Sequence, residues 1–301
     1  MSYTYRVKNE ILENSEKLTR EEKYAEIRAL LLLKHAINKN SIDLKLENKE
    51  ITERVYSMLK ELTELKISIK YSKSKKFGEH NVYAISIPSQ PGLKKFLEKL
   101  DRYSVTPKNR SEFTVKGFIR GMFLGCGYIK SPEREYALDF FIDGEELAEE
   151  LYNVLNEMGK KVYKTTKRNK PLVYMRNAED IMDIIVLIGS MKEFYNYEET
   201  TMIKELKNKT IREMNWEVAN ETKTLDTARK QIRMINYIGK TIGLNELSPV
   251  LEEVAFLRLE NPEASLQELG EIIGISKSGI RNRFRRIEEM YNELIEKERE
   301  A

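Results

Sequence analysis

The sequence predicts an α+β fold for about the first two thirds of the chain and an all-helical domain after it. Apolar residues alternate with period two in some segments and recur with period 3.6 in others, which marks strands and helices respectively. The order of these segments repeats once, so that the apolar helix near Tyr24 returns near Gly117. Beyond the second repeat the pattern is helical throughout.

Length and composition favour a globular protein with more than one core. The chain has 301 residues, of which 41% are apolar and 34% charged, and this length is enough for two domains. The formal net charge is only +3. Affinity for nucleic acid would therefore have to come from local patches of cations.

The counts of cysteine and histidine exclude several kinds of site. Cys126 is the only cysteine, and His35 and His80 are the only histidines. An internal disulfide framework and a cysteine-rich zinc site are thereby excluded. The N-terminus has no apolar run of signal-peptide length, and no segment approaches a membrane span, so we expect a cytoplasmic protein without membrane contact.

The two repeats share the order helix, strand, helix, strand, strand, helix. In the first repeat these segments are predicted at residues 24–35, 42–46, 49–62, 66–71, 81–87 and 93–100. In the second they are predicted at residues 117–127, 136–142, 145–158, 161–166, 172–175 and 178–188. Each repeat alone would leave one sheet face and one very apolar helix uncovered, so we expect the repeats to pack together.

The first helix of each repeat is hydrophobic nearly all round, which is typical of a buried helix. Ala29 in the first copy, and Gly121 and Gly125 in the second, would allow the two backbones to approach closely. We therefore predict that the two helices form a central seam between halves related by a pseudo-twofold axis.

Residues 198–244 are predicted to form a long helical connector with many cations and no proline. Trp216, the only tryptophan, is expected to pack the connector onto a neighbouring part of the protein rather than to stack on a base. Asn215, Asn220 and Thr224 could cap or break the helix, or contact phosphate. The cations of the connector are Lys204, Lys207, Lys209, Arg212, Lys223, Arg229, Lys230, Arg233 and Lys240.

After a helix at residues 250–259, the chain carries the signals of a helix-turn-helix. Ser265 and Glu268 have the spacing of a capping box, and Gly274 stands where a left-handed residue would end the first helix. Ser276 would cap the second helix. On that helix, Ile280, Phe284 and Ile287 fall on one face.

The opposite face of the second helix is cationic and could enter a major groove of DNA. Between Ser276 and Arg286 the sequence has five basic residues and no acidic one, whereas acidic residues predominate after Ile287. Base or groove contacts are assigned to Lys277, Ser278, Arg281 and Asn282, and phosphate contacts to Arg283, Arg285 and Arg286. The predicted DNA-binding set, with the capping residue included, is Ser276, Lys277, Ser278, Arg281, Asn282, Arg283, Arg285 and Arg286.

Three segments carry a resemblance to known families. Residues 119–127, followed by Tyr128 and Ile129, look like a degenerate form of the motif of LAGLIDADG homing endonucleases, and residues 27–35 look like a more degenerate copy. Residues 215–224, with Gln231, are similar to a stretch between the domains of the WhiA family of bacterial DNA-binding regulators, although Trp216 and Val218 depart from it. Together with the helix-turn-helix, these segments make nearly the whole chain resemble that family.

The resemblance implies a pseudo-twofold LAGLIDADG-like domain at residues 1–197, with repeats at about 20–101 and 113–190. It also implies a helical connector at 198–244 and a helix-turn-helix domain at 245–301. By the same resemblance, the expected function is transcriptional regulation through sequence-specific DNA binding, in cell division, chromosome segregation and sporulation-type developmental control. The expected location is the cytoplasm, in association with the nucleoid.

The endonuclease motif holds a divalent metal through an acidic eighth residue, and this chain has Lys34 and Cys126 at those two positions. An ammonium group repels Mg²⁺, and a thiol is a poor ligand for a hard cation. We therefore expect no nuclease activity, no metal and no cofactor. Asp139 or Asp143 could in principle substitute for the missing acids.

Double-stranded DNA is the expected partner, and RNA polymerase or another transcription regulator is a candidate protein partner. Two alternatives stay open: an active metal-dependent homing-type endonuclease, and a protein-interaction module that acts on the transcription machinery. The strand hairpins would suit phosphate contact, but charged hairpin tips are also simply soluble, and the same surface could bind protein. Their cations are Lys70, Lys73, Lys75, Lys76, Lys161, Lys164, Lys167, Arg168 and Lys170.

Overall fold

The computed structural model describes residues 2–14, 18–74, 80–106 and 110–300. The chain divides into two compact units, Met1–Glu205 and Leu206–Ala301. The helix that joins them belongs to both, because it runs without interruption from Met191 to Thr241.

The first unit contains seven helices, seven strands and the beginning of the joining helix, counted over the described residues. Their bounds are α1 (Tyr3–Glu13), α2 (Arg20–Leu33), β1 (Ile42–Leu46), α3 (Lys49–Leu62), β2 (Ser68–Ser74), β3 (His80–Ile87), α4 (Leu93–Asp101), α5 (Glu112–Cys126), β4 (Gly127–Ile129), β5 (Leu138–Phe141), α6 (Glu145–Glu157), β6 (Val162–Lys167), β7 (Lys170–Met175), α7 (Ala178–Leu187) and α8 (Met191–Thr241).

The strands form two antiparallel sheets, in the orders β1-β3-β2 and β4-β5-β7-β6. Strands β1, β2 and β3 of the first sheet correspond to β5, β6 and β7 of the second, so both repeats have the same strand order. In the first repeat a single bridge between Ile37 and Ile42 stands where β4 pairs with β5 in the second. The repeat predicted from the sequence is therefore confirmed.

Two elements of this unit were not predicted from the sequence. Helix α1 buries only Tyr3, Val7 and Ile11, which recur every four residues among polar ones. The Tyr3 hydroxyl donates to the backbone oxygen of Glu193, far along the chain. Strand β4 is only three residues long and continues directly from α5. Both elements depend on distant partners rather than on a strong local pattern.

Helices α2 and α5 pack against each other at the central seam, as predicted. A Cβ atom added at Gly121 would lie 2.6 Å from the backbone oxygen of Glu26 and 2.9 Å from the Cβ of Ala29. At Gly117 it would lie only 2.3 Å from the backbone oxygen of Glu22. These glycines are needed because any side chain would force the two backbones apart.

The second unit contains the rest of α8, a 3₁₀ turn and three further helices. Their bounds are Leu244–Glu246 for the turn, α9 (Pro249–Glu260), α10 (Leu266–Ile272) and α11 (Lys277–Glu300). The core of this unit draws on Ile235 and Ile238 of α8 and on apolar residues of the other helices. In the described part of the chain, no helix combines the length and apolar character required to cross a membrane.

Two expectations for the connector are corrected. Asn215, Asn220 and Thr224 neither cap nor break a helix, because α8 continues through all three positions. Trp216 does not pack onto a neighbour, since 69% of its side chain is exposed. The polar residues around it favour an exposed helical surface, and no large apolar residue stands three or four positions away along the helix to bury the indole.

Candidate nucleic-acid interface

The predicted helix-turn-helix is formed by α10 and α11. The Ser265 hydroxyl accepts from the backbone N–H of Glu268 at 3.2 Å, and the Glu268 carboxylate accepts from the backbone N–H of Ser265 at 2.7 Å. These backbone and side-chain bonds hold the pKa of Glu268 below its ordinary value. Gly274 has a φ of +69°, which favours glycine. The capping box and the left-handed residue are both confirmed.

Helix α11 begins at the cap that the sequence predicts, since the Ser276 hydroxyl accepts from the backbone N–H of Gly279 at 3.2 Å. Ile280, Phe284 and Ile287 lie in the core of the second unit with 4% exposure or less. The buried face of the helix is thus the one expected. Its other face points to solvent.

Seven of the eight predicted DNA-binding residues are exposed and lie at the cap or in the first three turns of α11: Ser276, Lys277, Ser278, Arg281, Asn282, Arg285 and Arg286. Within the described residues, no ion pair involves Lys277, Arg281 or Arg286. Cations without a carboxylate partner are free to meet phosphates and base edges. The role of each in DNA contact stays a prediction.

The other two predicted phosphate-binding arginines have partners on the protein. The Nη1 of Arg283 lies 3.1 Å from the Oε2 of Glu253 on α9, and only 23% of the Arg283 side chain is exposed. The Nε of Arg285 lies 3.7 Å from the Oε1 of Glu289, with both side chains exposed. Arg283 therefore helps to hold α11 against α9, whereas Arg285 keeps most of its surface in solvent.

Sequence reasoning missed a buried arginine beneath α11. Arg258 is 1% exposed. It donates to the Oε1 of Gln231 at 3.0 Å and to the backbone oxygen of Ala264 at 2.6 Å. Its guanidinium lies 5.6 Å from the ring centre of Phe284. Two sequence features could have revealed this site. Arg258 is a charged residue at a core-facing position of the apolar helix α9, and Gln231 is a polar residue that can pair with it.

The positions that correspond to the endonuclease metal site do not suit a divalent cation. Lys34 follows the end of α2 and Cys126 ends α5, and both line a pocket of about 210 Å³. Burial raises the pKa of the Cys126 thiol to about 12, so the thiol stays protonated near neutral pH. Burial also lowers the pKa of the nearby Lys8 to about 8. A protonated thiol and ammonium groups do not bind Mg²⁺.

The carboxylates that could have replaced the missing acids are paired with cations. Asp139 is 7% exposed, and its Oδ1 lies 2.7 Å from the Nη1 of Arg176. The Oδ2 of Asp143 lies 3.1 Å from the Nζ of Lys170, and this bond lowers the pKa of Asp143. In the part of the chain that the structure describes, no three His, Cys, Asp or Glu side chains group together as metal ligands.

Both sheets carry cations on their exposed faces. In the first sheet, the register places Lys45 and Lys70 on either side of Ala84. In the second, the rings of Tyr163 and Tyr174 stack with their centres 5.4 Å apart, and the guanidinium of Arg176 lies 4.6 Å from the centre of the Tyr174 ring. Cations on a sheet face suit phosphate contact.

The hairpin cations are only partly free. Lys164 is ion-paired with Glu149, and Lys170 with Asp143. Lys75 and Lys76 lie outside the described residues. The remaining hairpin cations are exposed: Lys70, Lys73, Lys161, Lys167 and Arg168.

Comparison with protein families gives three matches, in the order expected from the sequence. Residues 17–101 match the model of the WhiA N-terminal LAGLIDADG-like domain, and residues 115–207 match that of the WhiA LAGLIDADG-like domain. Residues 211–291 match the model of the WhiA C-terminal HTH domain.

Curated relatives match over nearly their whole length. A protein of Halothermothrix orenii named "Probable cell division protein WhiA" is 34% identical, over 98% of this chain and 99% of the relative. A protein of Clostridium tetani with the same name is 33% identical, over 98% of each chain.

Solved structures share the fold. Full-length WhiA from Thermotoga maritima superposes with a TM-score of 0.59 at 23% identity, over 97% of this chain and 98% of that one. The N-terminal LAGLIDADG domain of WhiA superposes with a TM-score of 0.50 at 20% identity, over 62% of this chain and 89% of that one. The expected α+β fold with a LAGLIDADG-like domain and a C-terminal helix-turn-helix is confirmed.

Proposed function

Because the chain belongs to the WhiA family, we propose that it is a sequence-specific DNA-binding regulator of transcription without nuclease activity. The observation that carries this proposal is the exposed, cationic start of α11. Lys277, Arg281 and Arg286 have no carboxylate partner in the described residues, and Ile280 fixes the opposite face in the core. In a helix-turn-helix, this is the part of the second helix that reaches base edges in the major groove.

The chemistry of the former metal positions supports the absence of cleavage. Phosphodiester hydrolysis by this kind of enzyme needs hard oxygen ligands for a divalent cation. The chain instead presents Lys34 and a protonated Cys126 there, while Asp139 and Asp143 are neutralised by cations. These residues would repel or fail to hold Mg²⁺.

The proposed cellular role follows the names of the relatives, which call them probable cell division proteins. We extend the proposal to cell division, chromosome segregation and sporulation-type developmental control, with the protein associated with the nucleoid. A DNA-bound regulator would act through RNA polymerase or another transcription regulator. The domain division proposed for this role is 1–197, 198–244 and 245–301.

Titration of duplex DNA with the full chain at several salt concentrations tests the proposal. Arg281→Ala should weaken binding by about 1–3 kcal/mol if Arg281 reads a base. Arg299→Ala is the matched control, because it removes the same charge from the far end of the same helix, where the side chain is also exposed. Equal affinities for wild type and Arg281→Ala would contradict the proposal.

Incubation of a plasmid with the protein and Mg²⁺ tests the proposed absence of nuclease activity. The proposal expects no cutting above the background of the buffer. Cutting that requires Mg²⁺ and disappears with Asp139→Asn or Asp143→Asn would show an active endonuclease instead.

A further inference from the structure

A row of four side chains runs along α8 in the second unit and drifts slowly around the helix: Lys209, Trp216, Lys223 and Lys230. They recur every seven residues, which is close to two helical turns, so they lie nearly above one another on one side of the helix. The row begins near the start of the second unit and ends beside α11.

The C-terminal end of this row contacts α11, the helix proposed to read DNA. The ammonium of Lys230 pairs with the carboxylate of Glu288 on α11. Farther on, the Tyr237 hydroxyl donates to Glu298. Both helices advance in the same direction between these contacts, so the upstream part of the row lies toward the N-terminal end of α11. That end carries Lys277 and Arg281.

The upstream part of the row is exposed, as is every residue of α8 from 205 to 223. Trp216 is 69% exposed although it is the largest apolar side chain of the protein. Lys209, Arg212, Asn220 and Lys223 around it are exposed as well, and none of the three cations has an ion pair in the described residues. An exposed tryptophan among unpaired cations and an amide is typical of a binding surface.

Carboxylates flank this part of α8 without pairing with its cations. Glu213 is a helical neighbour of Lys209 and Trp216, while Glu217 and Glu221 lie progressively farther from the row. Asp226, three residues after Lys223, lies 3.6 Å from Arg229 instead. Because Lys209, Arg212 and Lys223 have no ion pair in the described residues, the row favours a polyanion as the partner.

We infer that the row formed by Lys209, Trp216 and Lys223, together with Arg212 and Asn220, is a second DNA-binding surface that contacts the duplex backbone. The inference rests on the proposed function, since it concerns the same bound duplex. The ammonium and guanidinium groups pair with phosphates, and the indole packs on deoxyribose. At 1.5 Å per residue the part of the row from Lys209 to Lys223 is about 21 Å long.

The only tryptophan of the chain provides a direct readout. Titration of the full chain with a 40-base-pair duplex should quench the emission of Trp216 and shield it from acrylamide. A fluorescent label on the duplex reports binding independently. Binding by that label without any change in Trp216 emission or acrylamide quenching would overturn the inference.

Substitutions on the same helix provide a second test, because exposed lysines can be replaced without loss of the fold. Lys209→Ala and Lys223→Ala should each reduce the slope of log binding constant against log salt by about 0.9. Lys207→Ala is the matched control, since it removes an exposed lysine from the same segment but from a different side of the helix. An equal reduction by Lys207→Ala would show a general charge effect and overturn the inference.

The Arg281→Ala variant separates this inference from the proposed function. If Arg281→Ala weakens duplex binding but the row variants do not, the row has no part in it and only the inference fails. If neither weakens binding, the proposed function fails as well. A shift of Trp216 emission that depends on protein concentration in the absence of DNA would assign the surface to a second copy of the chain and overturn the inference.

Discussion

The Nε of Arg120 on α5 lies 2.7 Å from the Oε2 of Glu26 on α2, and both side chains are buried at the central seam. The same carboxylate also receives the Nε of Arg54 on α3, at 2.6 Å from Oε1. Burial alone would raise the pKa of Glu26, but the hydrogen bonds and charges of Arg54 and Arg120 lower it overall. One carboxylate thus joins three helices from both repeats.

Glu26→Ala should destabilise the protein by about 3–5 kcal/mol, because it leaves two buried guanidinium groups without their main partner. Urea unfolding gives the free energy. The control is Glu53→Ala, which removes an exposed pair with Lys49 at 3.5 Å and should cost at most about 0.5 kcal/mol. Similar losses for the two variants would contradict the role of Glu26.

Gly121→Ala should lower the free energy of unfolding by about 1–3 kcal/mol, since the added methyl group meets the backbone of α2. Gly239→Ala serves as the comparison. There the nearest atom is a Leu244 side-chain carbon at 3.4 Å, and alanine should be neutral or stabilise α8 by up to about 1 kcal/mol. A neutral Gly121→Ala would show that the seam tolerates wider helix separation.

Arg258→Met should weaken both the folding of the second unit and its affinity for DNA, although Arg258 is buried. The substitution leaves the backbone oxygen of Ala264 without its donor, which costs about 1–3 kcal/mol. Thermal unfolding and duplex titration measure the two effects. Arg229→Met, at a side chain that is 72% exposed, should leave folding unchanged. Unaltered folding and binding of Arg258→Met would contradict this assignment.

Alkylation of Cys126 by iodoacetamide should be slow in the folded protein. With a pKa of about 12, against an ordinary value near 9, the thiolate fraction at pH 8 is about 1000-fold lower than in the unfolded chain. The rate should keep rising with pH above 9, throughout the range in which the protein stays folded, because only the thiolate reacts. In guanidinium chloride, the alkylation rate should reach a plateau once the pH exceeds the ordinary pKa of a thiol. Equal rates in both states at pH 8 would contradict the raised pKa.

The sequence predicted elements that depend on local patterns. Helix α3 has the predicted bounds, because the Asn48 side chain caps it and its apolar residues recur with helical period. The helix-turn-helix was likewise predictable from Ser265, Gly274 and Ser276, because each of these residues starts or ends a helix through its own conformation or through bonds to residues nearby in the sequence.

What the sequence did not predict depends on distant contacts. Helix α1 depends on residues more than a hundred positions away, such as Glu193. The ion pair that holds Arg283 at Glu253 joins two helices and has no sequence signature. The hydrogen bonds of Arg258 and the exposure of Trp216 likewise follow from tertiary packing. The exposed site residues at the start of α11 could be chosen from the sequence, but their freedom from ion pairs could not.

We propose that the exposed start of α11 reads DNA sequence. The most direct test of this proposal is selection of bound duplexes from a random-sequence pool by the full chain, compared with Arg281→Ala, followed by sequencing of the bound fraction. We expect the wild type to enrich one shared motif, and Arg281→Ala to relax that motif at a single position. No enrichment by the wild type, or an identical motif of equal strength with Arg281→Ala, would contradict the proposal.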